Sequence, residues 1–312
     1  MNLENLRENI ILADHTTFRI GGPARYFFEA KTKEDIIEAI KWAGENNLPY
    51  FILGGGSNLL VNDEGFKGLV IRNKFSKINI EEAGEVLKIK ASAGVLLGII
   101  VAETVKRGFS GVEWAFGIPG TIGGAIWGNA HRAGRNMKPV VENVFVLNSE
   151  LEEKKIGRDE LEFDYGRSRF QKTGEIIISV DLVFKKETKE IIGDVLSQAK
   201  EISRGHAPYP SAGCVFRNYK LRDENDDILR RHPELESRVR EGKIGVGYLI
   251  DQCGLKGKQI GGAKVWEGHA NYIVNVGGAK ASDISELIEF CKKTVKEKYG
   301  VELEEEIRYL GF

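Results

Sequence analysis

Two glycine-rich stretches are the part of this sequence best suited to chemistry. GGGSN at 54–58 follows the apolar run YFIL, and GIPGTIGGAIWGNA at 117–130 holds five glycines in fourteen positions. Glycine lets successive backbone N–H groups approach a phosphate closely, and a helix N-terminus adds partial positive charge. Each glycine also gives up more backbone entropy on folding than alanine would, so this density needs a reason. Two readings stand: an extended phosphate-bearing ligand lies on the main chain, or the segments are tight turns and close helix packing. Neither stretch is a GxGxxG in its usual strand–helix context or a GxxxxGK[ST], which disfavours the common dinucleotide fold and the P-loop.

The cysteines are the next residues of note. Cysteines number three, Cys214, Cys253 and Cys291, with no CxxC pair. A disulfide framework or zinc site is not expected, no metal is implied, and a reducing compartment suits the thiols. A free thiol with an ordinary pKa of about 8.5 stays mostly protonated at neutral pH, and free cysteines most often sit in a fold as small apolar filler.

Regular elements must position these groups. Thr32, with Asp35 three residues on, begins a helix whose stripe is Ile36, Ile37, Ile40 and Ala43, and Asn46-Asn47 ends it. YFIL then reads as a buried strand running into GGGSN. INI at 78–80 and VLKIKA at 86–91 flank the Ala83-Gly84 turn, a hairpin pattern. A helix over about 95–107 closes on Lys106, Arg107 and Gly108. VFVLNS and IIISVDLVF are strands, followed by a helix near 190–204. The proline-punctuated HAPYPSAG at 206–213 suits a domain junction. Ser282 is the expected cap of the last helix, whose stripe is Ile284, Leu287, Ile288, Cys291 and Val295. The irregular mixture of strands and helices points to an α+β fold.

The 312 residues allow two or three domains, with 42% apolar and 29% charged residues. Lys and Arg number 45 against 46 Asp and Glu, giving a net charge of −1 and no footprint for nucleic acid or an anionic membrane. The N-terminus lacks an apolar signal segment, and GVLLGIIVA at 94–102 is too short to span a bilayer. A cytoplasmic protein is the expectation.

Seven segments, TTFRIGGPA (16–24), FILGGGSNLLV (51–61), GIPGTIGGA (117–125), SAGCVFRN (211–218), GYLIDQCGLKGKQIGGAKV (247–265), HANYIVN (269–275) and LEEEIRYLG (303–311), together resemble the UDP-N-acetylenolpyruvoylglucosamine reductases. These are flavoenzymes that make UDP-N-acetylmuramate for bacterial cell walls. The resemblance implies an FAD-binding fold of the vanillyl-alcohol-oxidase type, in which two subdomains clamp FAD and a third binds the UDP-sugar. The implied division is 1–74 with a return at 303–312, then 75–204, then 205–302. The stretch from Phe170 to Gly213 has room for one strand and one helix, as in the shorter family form without a tyrosine-bearing loop insertion. A monomer is expected.

Residue roles follow from the same likeness. The backbone of Leu53, Gly54, Gly55, Gly56, Ser57 and Asn58, and of Gly117, Ile118, Pro119, Gly120, Thr121, Gly123 and Gly124, would hold FAD, with Asn129 and Arg204 beside it. NADPH would reduce the flavin. Cys214 stands where the family usually has a serine proton donor, and Glu306 matches its catalytic glutamate. The family's Y-R-x-S-x-F reads Tyr165-Gly166-Arg167-Ser168-Arg169-Phe170 here, so the enolate-stabilising arginine position is Gly166. Arg167 is the expected substitute through a local bulge, with Arg169 the other candidate. His131 fills a usual glycine position. Asn218, Lys256 and His269 would contact the sugar nucleotide. The alternatives are another FAD oxidoreductase of this fold and a flavin or nucleotide-sugar binder without activity. Oxidants are expected to inactivate an accessible Cys214.

Overall fold

The computed structural model describes Leu3 and residues 5–224 and 226–312. The chain divides into two compact units, one made of Met1–Ile10, Ala24–Gly55 and Lys67–Gly205, the other of Ile11–Pro23, Gly56–Phe66 and His206–Phe312.

The first unit holds two cores. One is built on a four-stranded sheet ordered Arg7–Ile11, Pro23–Ala30, Phe66–Asn73, Tyr50–Leu53, with the last two strands parallel. The helix Lys33–Glu45 covers it with Ile36, Ala39, Ile40 and Ala43. That helix starts where the sequence requires: Thr32 Oγ1 accepts from Asp35 N and the Asp35 carboxylate accepts from Thr32 N, both at 3.0 Å. The other core lies on an antiparallel sheet ordered Glu153–Gly157, Val141–Leu147, Ile176–Lys186, Val86–Ser92, Ile78–Ala83, with Phe109–Ser110 beside the end of the central strand. Ile178, Val180, Leu182 and Phe184 are all buried, which is the predicted face of that strand. The helix Leu97–Arg107 ends on Gly108 at φ +81, in the left-handed conformation that glycine adopts without cost.

The second unit has one core. A four-stranded sheet ordered Ser211–Cys214, Tyr272–Asn275, Ala263–Val265, Gln259–Ile260 packs with the helices Val246–Gln252 and Ala281–Tyr299. Leu59–Val61 and Arg308–Leu310 form a separate parallel pair in the same unit. The long helix does bury Ile284, Leu287, Ile288, Cys291 and Val295. Its cap corrects the expectation for Ser282, which lies inside the first turn. The carboxylate of Asp63 accepts from Ala281 N (2.7 Å), Ser282 N (3.1 Å) and Ser282 Oγ (3.1 Å). A negative charge at a helix N-terminus is favourable, and here it comes from 218 residues away in sequence.

Candidate active site

In the first unit the two glycine stretches touch each other. An added Cβ at Gly54 would stand 2.8 Å from Thr121 Oγ1, at Gly55 2.6 Å from Gly120 Cα, and at Gly123 2.7 Å from Ala93 Cβ. These glycines therefore admit neighbouring atoms of the protein itself, main chain at Gly55 and side chains at Gly54 and Gly123, the second of the two readings above. Gly117 (φ +76) and Gly120 (φ +125) bend the loop ahead of the helix Ile122–Trp127 into conformations that only glycine holds readily. The first turn of that helix is already engaged. Ile122 N donates to Val95 O (2.7 Å), Gly123 N to Ala93 O (2.9 Å) and Gly124 N to Thr121 Oγ1 (3.3 Å). The first-turn amides of this helix are thus bonded within the protein. The loop 117–121 and the turn after Leu53 are the backbone that suits a ligand.

Phe116, Gly117 and Pro119 are exposed along that loop. Two side chains not singled out from sequence fix its start: Arg132 Nη1 (2.7 Å) and Ser203 Oγ (3.0 Å) both donate to Phe116 O. Arg132 sits in the segment NAHRAG that departs from the family pattern, which was the available signal. Arg204, the next residue after Ser203, is exposed and pairs with Glu201 on its own helix at 3.2 Å. In the second unit, Gly56 (φ +64) leaves no room for a side chain against His15 O, and Ser57 O accepts from Thr17 Oγ1 (3.3 Å). Asn58 bridges to the C-terminal segment, donating through Nδ2 to Glu306 O (3.0 Å) and accepting at its carbonyl from Arg308 N (2.9 Å).

Asn129 is buried at φ +41 and donates to Asp164 O (2.8 Å), while its Oδ1 is buried with no hydrogen-bond partner among the described residues. A buried acceptor of this kind costs about 1–3 kcal/mol unless a donor completes it. The segment it supports is not a strand. Asp164 and Arg167 exchange both backbone hydrogen bonds (3.1 Å each) around a tight turn with Gly166 at φ +61. The expected bulge at Arg167 is thus a two-residue hairpin. Arg167 is exposed. Arg169 is committed elsewhere, gripping both oxygens of Glu175 at 3.1 and 3.3 Å. His131 packs on Tyr165, ring centroids 4.2 Å apart, which accounts for a histidine at a glycine position.

The second unit brings Cys214 and Glu306 together. Residues 215–217 lie antiparallel to 304–306, with Glu306 N on Val215 O (2.7 Å) and Arg217 N on Glu304 O (2.8 Å). Burial, reinforced by the Glu306 carboxylate, pushes the Cys214 thiol up to about 12. The thiol is therefore neutral at physiological pH, and the ordinary acidity assumed from sequence is corrected. Burial pushes Glu306 up to about 7, with Arg217 pulling it down and Glu304 pushing it further up. Asn271, not assigned a role from sequence, hydrogen-bonds the thiol and clasps both backbone groups of Phe216, accepting from its N (2.9 Å) and donating to its O (2.8 Å).

The substrate candidates lie in this unit too. Asn218 Oδ1 accepts from Val246 N (3.2 Å) at the start of the helix Val246–Gln252. Lys256 pairs with Asp251 (2.8 Å). His269 accepts at Nδ1 from Asn271 N (3.3 Å) and stacks beside Tyr272. Desolvation, aided by nearby Lys256, lowers the His269 pKa, so a neutral imidazole is presented.

Residues 24–149 match the family model of an FAD binding domain. Bent glycine backbone and an acceptor awaiting a donor are compatible with such a group, and the class is an α+β flavoprotein with an FAD-binding portion and a separate C-terminal domain. Residues 205–310 match the UDP-N-acetylenolpyruvoylglucosamine reductase C-terminal domain. The chain belongs to the UDP-N-acetylenolpyruvoylglucosamine reductase family. It is 38% identical over 310 residues to the protein of that name from Chlamydia pneumoniae, covering 98% of this chain and 92% of that one. The Clostridium novyi protein of that name is 34% identical over 320 residues, covering 100% and 94%. The crystal structure of the Thermus caldophilus reductase superposes with a TM-score of 0.77 at 32% identity, covering 98% and 99%.

Proposed function

We propose that this chain is an FAD-dependent, NADPH-consuming reductase that converts UDP-N-acetylenolpyruvoylglucosamine to UDP-N-acetylmuramate in bacterial peptidoglycan precursor synthesis. The pairing of Cys214 with Glu306 in a family member is the observation that carries the reading. FAD, when bound, supplies hydride transfer, accepting from NADPH and delivering to the enolpyruvyl double bond. The backbone of Leu53–Asn58 and of the loop Gly117–Thr121 would hold the cofactor, with Gly123, Gly124 and Asn129 beside it by family position.

Saturating the enol ether adds one hydride and one proton, and charge grows on the carbon next to the carboxylate as the hydride arrives. Cys214 donates the proton there, and its neutrality keeps that proton available. Glu306, poised near neutrality, restores it, which is the placement a general acid needs. Asn271 holds the thiol in place. By family register Arg167 would stabilise the developing anion in place of the arginine missing at Gly166. Asn218, Lys256 and His269 bind the sugar nucleotide, Lys256 as a point charge for the diphosphate. Arg204 remains a cofactor contact by family position only.

The three-part division at 1–74 with 303–312, 75–204 and 205–302 belongs to the same proposal. So does a cytoplasmic monomer without nucleic-acid or membrane partners, supported by balanced charge and by the lack, among the described residues, of a helix long and apolar enough to cross a membrane. Anaerobic titration of the purified protein tests the function. It should be yellow, bleach with NADPH and regain colour on adding the enolpyruvyl sugar nucleotide. Bleaching without recovery would indicate another flavin oxidoreductase, and a colourless protein that takes up no FAD would refute every flavin reading.

A further inference from the structure

Arg217 is 8% exposed, an unusual setting for a guanidinium. Its backbone is locked to Glu304, and its Nε lies 3.2 Å from Glu304 Oε1, while that carboxylate is more than half exposed. An ion pair with one partner buried and the other in solvent adds little to stability, because desolvation offsets the attraction. Glu304 and Glu306 are two apart on an extended run and so share a side, the one served by Arg217. The charged and titratable groups acting on Glu306 are Arg217 and Glu304, the thiol of Cys214 couples to it, and Arg308 couples to Arg217.

We propose that Arg217, tethered by Glu304, is a positioning residue that sets the charge environment in which Glu306 releases and recovers its proton beside Cys214. The idea rests on the reductase reading. Arg217 opposes the effects of burial and of Glu304 on Glu306. Without the guanidinium the carboxyl would keep its proton well above neutrality and could not cycle at the pH where the thiol needs reloading.

The test is the ionisation of Glu306 in the holoenzyme, followed by carbon NMR of glutamate-labelled protein and assigned with Glu306→Gln. Arg217→Met should raise the midpoint by about one pH unit or more, the usual size for loss of a close opposite charge. Glu304→Gln should lower it, because it removes a like charge and releases Arg217 toward Glu306. Arg217→Lys, which keeps the charge, should restore most of the native midpoint. The alkaline limb of kcat should move in the same directions. Shifts of opposite sign are not produced by a merely structural role. A midpoint that stays fixed, or moves the same way in both variants, would overturn the proposal. Should Arg217→Met fail to fold, Glu304→Gln decides alone. Flavin bleaching by NADPH, measured in every variant, separates this failure from failure of the reductase reading.

Discussion

Gly55 and Gly120 meet main chain to main chain, so closely that a Cβ on Gly55 would lie 2.6 Å from Gly120 Cα. The contact joins the turn after the strand Tyr50–Leu53 to the loop before the helix Ile122–Trp127. Glycine in both stretches thus lets two loops lie directly against each other.

Gly55→Ala should damage both fold and cofactor binding. Forcing a methyl into this contact costs about 1–3 kcal/mol. The expected outcome is a lower denaturation midpoint in the cofactor-stripped protein together with less flavin bound per chain. A variant with native stability and a full complement of flavin would show that the two loops yield easily.

Cys214→Ala should retain bleaching by NADPH and lose about a hundred- to ten-thousand-fold in turnover, the usual share of a general acid. Rapid-mixing measurements of the two half-reactions separate these effects. Because the thiol is held neutral, the native enzyme should lose activity only slowly in peroxide. Native turnover in the alanine variant would remove Cys214 from the chemistry.

Arg167→Ala and Arg169→Ala should fail in different ways. Arg169 is bound to Glu175 through both carboxylate oxygens, so its loss should cost about 2 kcal/mol of stability. Arg167 is exposed on its hairpin, so its loss should leave the melting temperature alone while reducing turnover about a hundredfold. Thermal melts and steady-state rates on the same samples distinguish them. Equal, minor losses of rate would mean that neither arginine replaces the one absent at Gly166.

Glu306 should leave a mark on stability as well as rate. In the folded chain it holds its proton to about pH 7, against an ordinary value of 4.5. Between those values the native state binds more protons than the unfolded chain, so its full contribution is present below the lower value and lost as pH rises through the upper one. The loss is about 3 kcal/mol for this group. Glu306→Gln should therefore weaken less than the native protein between about pH 5 and about pH 8 in denaturant titrations. Identical slopes would mean that the carboxyl titrates as an exposed glutamate does.

Local periodic features were legible. The capping box at Thr32 and Asp35, the hairpin at Ala83-Gly84 and the stripe from Ile284 to Val295 each depend on neighbours a few residues apart, and each is present. The positions of both glycine stretches and of Cys214 were legible through family likeness, but the reason for several glycines was not, since it lies in a contact between distant loops. Arg217 and Asn271 escaped notice for the same cause. Asn271 acts on Phe216 from 55 residues away, and the partner of Arg217 sits in an acidic run that looks solvated. The hairpin at Asp164–Arg167 was not legible, because Gly166 breaks the family pattern by which the segment was aligned.

The parallel pairing of Leu59–Val61 with Arg308–Leu310 has a consequence for biosynthesis. A nascent chain presents the earlier strand long before its mate exists, and segments separated so widely in sequence must search for each other at a large loop-closure cost. This pair therefore cannot close until residue 310 has been made. Between emergence of residue 61 and synthesis of residue 310 an unsatisfied strand edge stays open, and that interval is when a chaperone would matter most to this protein.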